Sequence, residues 1–130
     1  LLPGLVVYRF DAPLIFANSR TFGDVVRAMV EERPELRWVV VAAEPMTDVD
    51  TTAADMLAEL DSWLNARDVS LVFAEVKDPV RAKIDRYELD RTIDPAHFFP
   101  TIDDAVAAYI AQTGETWQDP PRESRTEEQP

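Results

Sequence analysis

Trp38-Val39-Val40-Val41-Ala42-Ala43, running into Glu44-Pro45-Met46-Thr47-Asp48-Val49-Asp50-Thr51-Thr52-Ala53, is the stretch whose reading decides the fold. Six consecutive apolar residues without alternation describe a strand covered on both faces, and hence a central strand of an α/β sheet. Pro45 ends it, because proline has no N–H to give to a sheet ladder. Beyond the loop, Ala53, Met56, Leu57, Leu60 and Leu64 recur at helical spacing with Trp63 beside them, so a helix follows and ends near Arg67-Asp68. Buried strand, loop and helix form half of a parallel crossover unit, and in such folds the loops at the carboxyl ends of the strands are the default binding edge.

Working outward, Val69 to Ala74 reads as a second buried strand. Asp78-Pro79 then supplies an N-cap and a proline at the first helical position, predicting a helix to about Tyr87. Thr92 to Phe99 has a weak pattern that fits a short edge strand or an irregular loop. Thr101-Ile102-Asp103-Asp104 resembles a capped helix start, Ile102, Ala105, Val106, Tyr109 and Ile110 form its buried face, and Gly114 is placed to terminate it. Toward the N-terminus, Val6 to Phe10 and Leu14-Ile15-Phe16-Ala17 read as two short strands joined by a turn at Asp11-Ala12-Pro13. From Phe22, the positions Val25, Val26, Met29 and Val30 complete one helical face, which Pro34 closes. The expectation is one α/β domain over residues 1–114, with about four strands, a fifth allowed at the edge, and about four helices. Residues 115–130 contain three prolines, several charges and one large apolar residue, Trp117, and read as a flexible acidic tail.

A chain of 130 residues is the size of one domain, long enough to bury roughly two-thirds of the surface its unfolded form exposes. The 25 acidic against 13 basic residues give a net charge of −12, which repels a phosphate backbone and argues against nucleic-acid binding. With no cysteine there is neither a disulfide framework nor a thiolate nucleophile or ligand. No apolar run approaches the ~20 residues of a membrane-spanning helix, so direct membrane insertion by this segment is not expected. Leu1-Leu2-Pro3-Gly4 has no signal-peptide character, and the missing initiator methionine leads us to expect a longer parent chain.

Chemistry is concentrated at Asp48-Val49-Asp50-Thr51-Thr52. A helix start exposes unpaired N–H groups and a positive dipole end, so Asp50 or Thr51 can cap it, leaving a hydroxyl of Thr51 or Thr52 at an exposed edge. A phosphate there would find backbone donors, opposed at short range by Asp48 and Asp50. Two carboxylates make a poor magnesium site, so no metal is expected. The three glycines, Gly4, Gly23 and Gly114, cannot form either common glycine-rich phosphate loop. His97 is the single histidine and has no recognisable nucleophile partner. Lys83, Asp85, Arg86, Glu88, Asp90 and Arg91 read as a solvated face. The chain is expected not to be an enzyme.

Asp50-Thr51-Thr52-Ala53 resembles the Asp-Ser/Thr-Ser/Thr-Gly segment of STAS domains, found in anti-sigma-factor antagonists and at the cytoplasmic end of SulP-type sulfate and anion transporters. Thr47 to Thr52 is closest to the transporter branch. Phe10-Asp11-Ala12-Pro13-Leu14-Ile15-Phe16-Ala17-Asn18 is similar to the Asp-x-Pro-hydrophobic-Phe-Ala-Asn stretch of transporter STAS domains. The resemblance spans roughly Gly4 to Gly114 and implies a mixed sheet backed by helices. It places the family's phosphorylatable hydroxyl on Thr51, with Thr52 as neighbour, and the transporter signature on Phe16, Ala17 and Asn18. Ala53 departs from the pattern where many antagonists carry glycine, which weakens docking to a dedicated kinase. The resemblance further implies a regulatory, non-catalytic domain at the cytoplasmic face of a multi-pass membrane protein. Its partners would be the transporter's own membrane portion and cytosolic regulatory proteins. It requires no cofactor but allows a weakly held guanine or adenine nucleotide at an edge made by Phe16, Ala17, Asn18, Asp48, Asp50, Thr51 and Lys77. The alternative is a free-standing anti-sigma-factor antagonist switched by phosphorylation.

Overall fold

Strand β2 (Trp38–Ala42) is buried along its whole length. The computed structural model describes residues 2–87 and 93–117, and in it β2 is bonded on both sides. Strand β1 (Leu5–Arg9) lies parallel to it with Leu5 opposite Trp38, and β3 (Ser70–Ala74) lies parallel on the other side with Ser70 opposite Trp38. The two-residue strand β4 (Phe98–Phe99) pairs with Phe73 and Ala74 at the far edge. Strand order is β1-β2-β3-β4, and every described pairing is parallel, including those of the sheet that the resemblance implied to be mixed.

Alternation along the strands divides the core in two. Val39, Val41, Leu71 and Phe73 face helices α1 (Phe16–Glu32), α2 (Thr51–Asn65) and α3 (Asp78–Arg86). Trp38, Val40, Val72 and Ala74 face the single helix α4 (Ile102–Thr113), which supplies Ala105 and Tyr109. The leucine ladder of α2 is fully enclosed, Leu57, Leu60 and Leu64 being at most 1% exposed, so truncating any one to alanine would cost about 2–5 kcal/mol.

The N-terminal approach to the sheet is tied down at Gly4. Its carbonyl accepts the N–H groups of Arg37 and Trp38 at 2.7 and 3.0 Å, and the Tyr109 hydroxyl donates to the carbonyl of Pro3. Gly4 has φ of 84°, and the Tyr109 hydroxyl occupies the place a Cβ would take, so both backbone and packing select glycine here.

The expected elements are present, with three differences. Leu14–Ala17 is not a second strand: Leu14 alone makes a bridge, to Val49, and α1 begins at Phe16 rather than Phe22. A short apolar run does not distinguish strand from buried helix, and the Asn18 side chain, described below, turns this one into a helix start. At α3 the cap position is Lys77, with no side-chain cap, and Asp78 is the first helical residue, still favourably placed against the helix dipole. The weak segment before α4 holds a 3₁₀ turn at Pro95–His97 and then β4; Thr92 lies outside the described residues. Gly114 closes α4 in the left-handed conformation as expected. Glu88, Asp90, Arg91 and most of the expected tail also lie outside the described residues.

Among the described residues, one carboxylate is buried. Asp61 on α2 is 3% exposed and accepts a hydrogen bond from the Asn65 amide at 3.1 Å. Desolvation pushes its pKa up to about 6, the Asn65 bond only partly opposing it. Asp61 therefore holds its proton more tightly folded than unfolded: its contribution is fully present below the unfolded value and is lost as pH rises through about 6. Asp61→Asn is expected to stabilise the chain by about 1–3 kcal/mol at pH 7–8, with the advantage gone near pH 4. Urea denaturation of both proteins across that range measures it.

Candidate functional site

Because the strands are parallel, the turns after β1, β2 and β3 all emerge at one edge of the sheet. Two of them are laced together. Leu14 donates its N–H to the Asp48 carbonyl at 2.9 Å, and its carbonyl accepts the Asp50 N–H at 3.2 Å, forming the Leu14–Val49 bridge. Leu14 and Val49 are fully buried, so this bridge is anchored in the core. It sets the start of α1 beside the start of α2.

At α1, Phe16 is the first helical residue and Ala17 the exposed second. Asn18 closes the turn: its Oδ1 accepts the Ile15 N–H at 2.9 Å and its Nδ2 donates to the Pro13 carbonyl at 2.8 Å. The Asn18 amide is thus engaged in building the entry to α1. At α2, Asp50 is the cap, its carboxylate accepting the Ala53 N–H at 2.8 Å. That leaves Thr51 and Thr52 as the first two helical residues, both exposed. The two alternatives for the cap are therefore resolved in favour of Asp50, and both hydroxyls stand at the surface.

Asp48 accepts the Val49 N–H at 2.9 Å and a hydrogen bond from the Lys83 ammonium on α3, 35 residues away. The Lys83 bond holds the Asp48 carboxyl below the usual carboxylate range, helped by the Val49 N–H and opposed by some desolvation, and raises Lys83 in turn. Both side chains are more than a third exposed, so the pair positions the loop more than it stabilises the fold. The sequence placed Lys77 at this edge. Lys77 is exposed at the head of α3, but the lysine that reaches Asp48 is Lys83, two helical turns further on. Nothing local in the sequence marks it, because it stands in a run of mixed charge and its partner is distant in the chain. Beside it on α3, Arg81 pairs with Asp85 at 3.3 Å.

A groove of about 420 Å³ opens between the amino-terminal halves of α1 and α2, with Ser19, Arg20, Asp24 and Arg27 on one wall and Thr52, Asp55, Met56 and Glu59 on the other. Thr52 thus faces a charged cleft between helices. Among the described residues no group of three His, Asp or Glu side chains is assembled as a metal ligand set, and no helix is long and apolar enough to cross a membrane. His97 packs edge-on against Trp38 at 5.6 Å between ring centres, away from the Asp48–Thr52 loop.

The family model for the STAS domain matches residues 2–105. The chain belongs to the STAS domain family. Its similarity runs to sulfate transporters. It is 38% identical over 109 residues to a probable sulfate transporter of Mycobacterium tuberculosis, covering 83% of this chain and 20% of that protein. It is 30% identical over 121 residues to high affinity sulfate transporter 2 of Stylosanthes hamata, covering 86% of this chain and 18% of the relative. The chain spans about a fifth of the length of these curated relatives. Among solved structures, the SulP transporter STAS domain from Vibrio cholerae superposes with a TM-score of 0.70 at 18% identity, over 85% of this chain and 84% of that one. A putative anti-sigma factor antagonist from Thermotoga maritima gives 0.68 at 12% identity, covering 81% and 86%. At these identities the two structures share the fold with this chain.

Substitutions at two positions test the loop. Asp50→Ala removes the α2 cap and should cost about 1 kcal/mol in denaturant unfolding, whereas Asp50→Asn should cost little. Lys83→Met should move the Asp48 titration upward toward the ordinary carboxylate range in a side-chain NMR titration. The Asp48 contribution is present above its unfolded pKa and lost as pH falls through the folded one, so Lys83→Met should blunt that acid-side loss. An Asp48 titration that does not move means the pair is not formed in solution.

Proposed function

We propose that this chain is the non-catalytic regulatory domain of a SulP-type anion transporter, held at the cytoplasmic face of the membrane, with the Asp48–Thr52 loop as its control point. The observation that carries the reading is the pair of exposed hydroxyls, Thr51 and Thr52, at the head of α2, in a chain whose sequence relatives are sulfate transporters. The domain would not carry the anion itself. It would dock on the membrane portion of its own transporter or on cytosolic regulatory proteins, and a change of charge at the loop would alter that docking.

A phosphate on Thr51 or Thr52 adds a charge of about −1.5 to −2 at the positive end of α2. It would lie beside the Asp48 and Asp50 carboxylates, with Lys83 as the nearby cation already reaching into the loop. Repulsion from the carboxylates and attraction to Lys83 and the helix dipole act in opposite senses. Their balance makes the loop responsive to charge. A weakly held guanine or adenine nucleotide would use the same donors, near Thr51, Asn18 and Lys77. The Asn18 amide is already engaged in its own turn, which favours a phosphate contact at Thr51 over one at Asn18.

The second reading, a free-standing anti-sigma-factor antagonist, rests on the shared fold with the Thermotoga maritima protein. The 38% identity to a probable sulfate transporter weighs on the other side.

Thr51→Glu in the intact carrier is expected to change anion uptake at matched membrane abundance while leaving the isolated domain folded. Unchanged uptake would count against the control-point role. Amide shifts on adding GTP or ATP that are confined to the Thr51 and Lys77 regions would locate a nucleotide, and a spectrum that does not change at millimolar nucleotide would remove it from the scheme.

A further inference from the structure

Asp61 is 3% exposed, on a helix whose other buried residues are all apolar: Ala53, Ala54, Leu57, Leu60 and Leu64. Its one partner among the described residues is the Asn65 amide, a neutral donor at 3.1 Å. A carboxylate in that setting has lost its water and gained no cation. The charged groups of the surrounding elements are engaged elsewhere. On α2 itself, Asp55 and Glu59 line the groove toward α1, and the last turn carries no basic residue. From α1, Arg27 stands over the Trp63 ring. Strand β3 carries no charge, and on α3 Lys83 bonds Asp48 while Arg81 pairs with Asp85. Neither these nor the other described charges of α1 and α3 act on Asp61, whose ionisation is set by burial and the Asn65 bond. The neutral acid fits this site and the carboxylate does not.

The same turn of helix reaches the surface. Asp61 and Asn65 span the end of α2, which is closed by the Ala66 N–H on the Ser62 carbonyl at 3.1 Å and the Arg67 N–H on the Leu64 carbonyl at 2.8 Å. Arg67 also donates from its guanidinium to the Trp63 carbonyl at 3.0 Å and lies over the Trp63 ring at 3.7 Å, with Arg27 of α1 at 5.7 Å from the same ring. A buried acid is thereby joined, through one turn, to a cluster of two guanidiniums and an indole. Helix ends belong to the low-stability part of a fold and open without unfolding the rest.

We propose that Asp61 is a proton-operated latch on the end of α2. Protonated, it stays in the core, bonded to Asn65, and keeps the last turn wound. Ionised, it is drawn to water, the segment from Ser62 to Arg67 unwinds, and the stack of Arg67 on Trp63 comes apart. The closed turn holds the proton more tightly than the open one, because burial raises the carboxyl from its ordinary value of 3.8 to about 6. Proton loss therefore favours opening: the open form gains as pH rises from about 4 to about 6 and levels off above that. The separation of the two values limits the gain to about a hundredfold in the ratio of open to closed. Acidification below about 6 winds the turn and orders the Trp63 cluster, which makes that surface responsive to proton concentration. The inference stands on the buried acid and does not depend on the reading of the Asp48–Thr52 loop.

The test is amide hydrogen exchange of the 130-residue chain between about pH 4 and about pH 7.5, each rate divided by that of an unfolded amide at the same pH. Protection of the Asn65, Ala66 and Arg67 amides is expected to fall about a hundredfold across this range and to lie below that of the β2 amides. It should not respond to low urea, because opening one turn exposes little surface. Asp61→Asn keeps the bond geometry and cannot ionise, so its last turn should show protection that does not vary with pH. A titration of the Asp61 carboxyl carbon with its midpoint near the ordinary value overturns the proposal. So does a last turn whose protection changes by less than about threefold, or that loses protection equally in Asp61→Asn. Last-turn amides that exchange only together with those of β2, by global unfolding, overturn it as well.

Discussion

The structure depends on the burial of β2 from both faces. A backbone enclosed in this way has no water for its N–H and C=O groups, so it must be bonded to strands on both sides. Here those strands run parallel to it, and parallel neighbours can be joined only by crossovers long enough to hold a helix. Helices α1 and α2 are those crossovers, and they cover the face that Val39 and Val41 present. The same constraint sends every strand's carboxyl end to one edge. The loop after β2 thus becomes a surface site as a consequence of how the core is closed.

At that edge, core packing and site geometry are continuous. Leu14 and Val49 are buried, yet the bridge between them determines where Asn18, Asp50 and Thr51 stand relative to one another. Asp50 is committed to the helix cap and Asp48 to Lys83, so the acidic character of the loop is partly neutralised in place while the two threonine hydroxyls remain exposed. No metal ligand set is assembled there among the described residues.

The opposite face of the sheet is more thinly covered. One helix, α4, has to span a four-stranded sheet; its Tyr109 meets Trp38 of β2 at 5.3 Å between ring centres, and Phe99 of β4 approaches the same Trp38 at 6.1 Å. At the far edge Phe98 stacks on Phe73 at 5.2 Å with Arg81 over its outer face. On the β1 side, among the described residues, Val7 stands exposed. Three of the described helices pack on one face of the sheet and one on the other.

Most of the elements were legible because their signals are local. The continuous run of β2, the helical spacing of α2 and α4, the proline stops and the Gly114 cap each depend on residues within one or two turns of one another, and each stands where the sequence places it. The start of α1 is not legible because Leu14-Ile15-Phe16-Ala17 is equally apolar as strand or helix, and the deciding hydrogen bonds are made by the Asn18 side chain, which accepts from the Ile15 N–H and donates to the Pro13 carbonyl. The choice of Lys83 over Lys77 and the exposure of Val7 could not be read at all, since each is settled by groups far away in the chain. By itself the sequence determined the α/β class, the family motif and the position of the Asp48–Thr52 junction, because these follow from short-range periodicity and capping. Only the tertiary structure decided which cation meets Asp48 and which strands stand next to one another in the sheet, because those are outcomes of how separate elements pack in three dimensions.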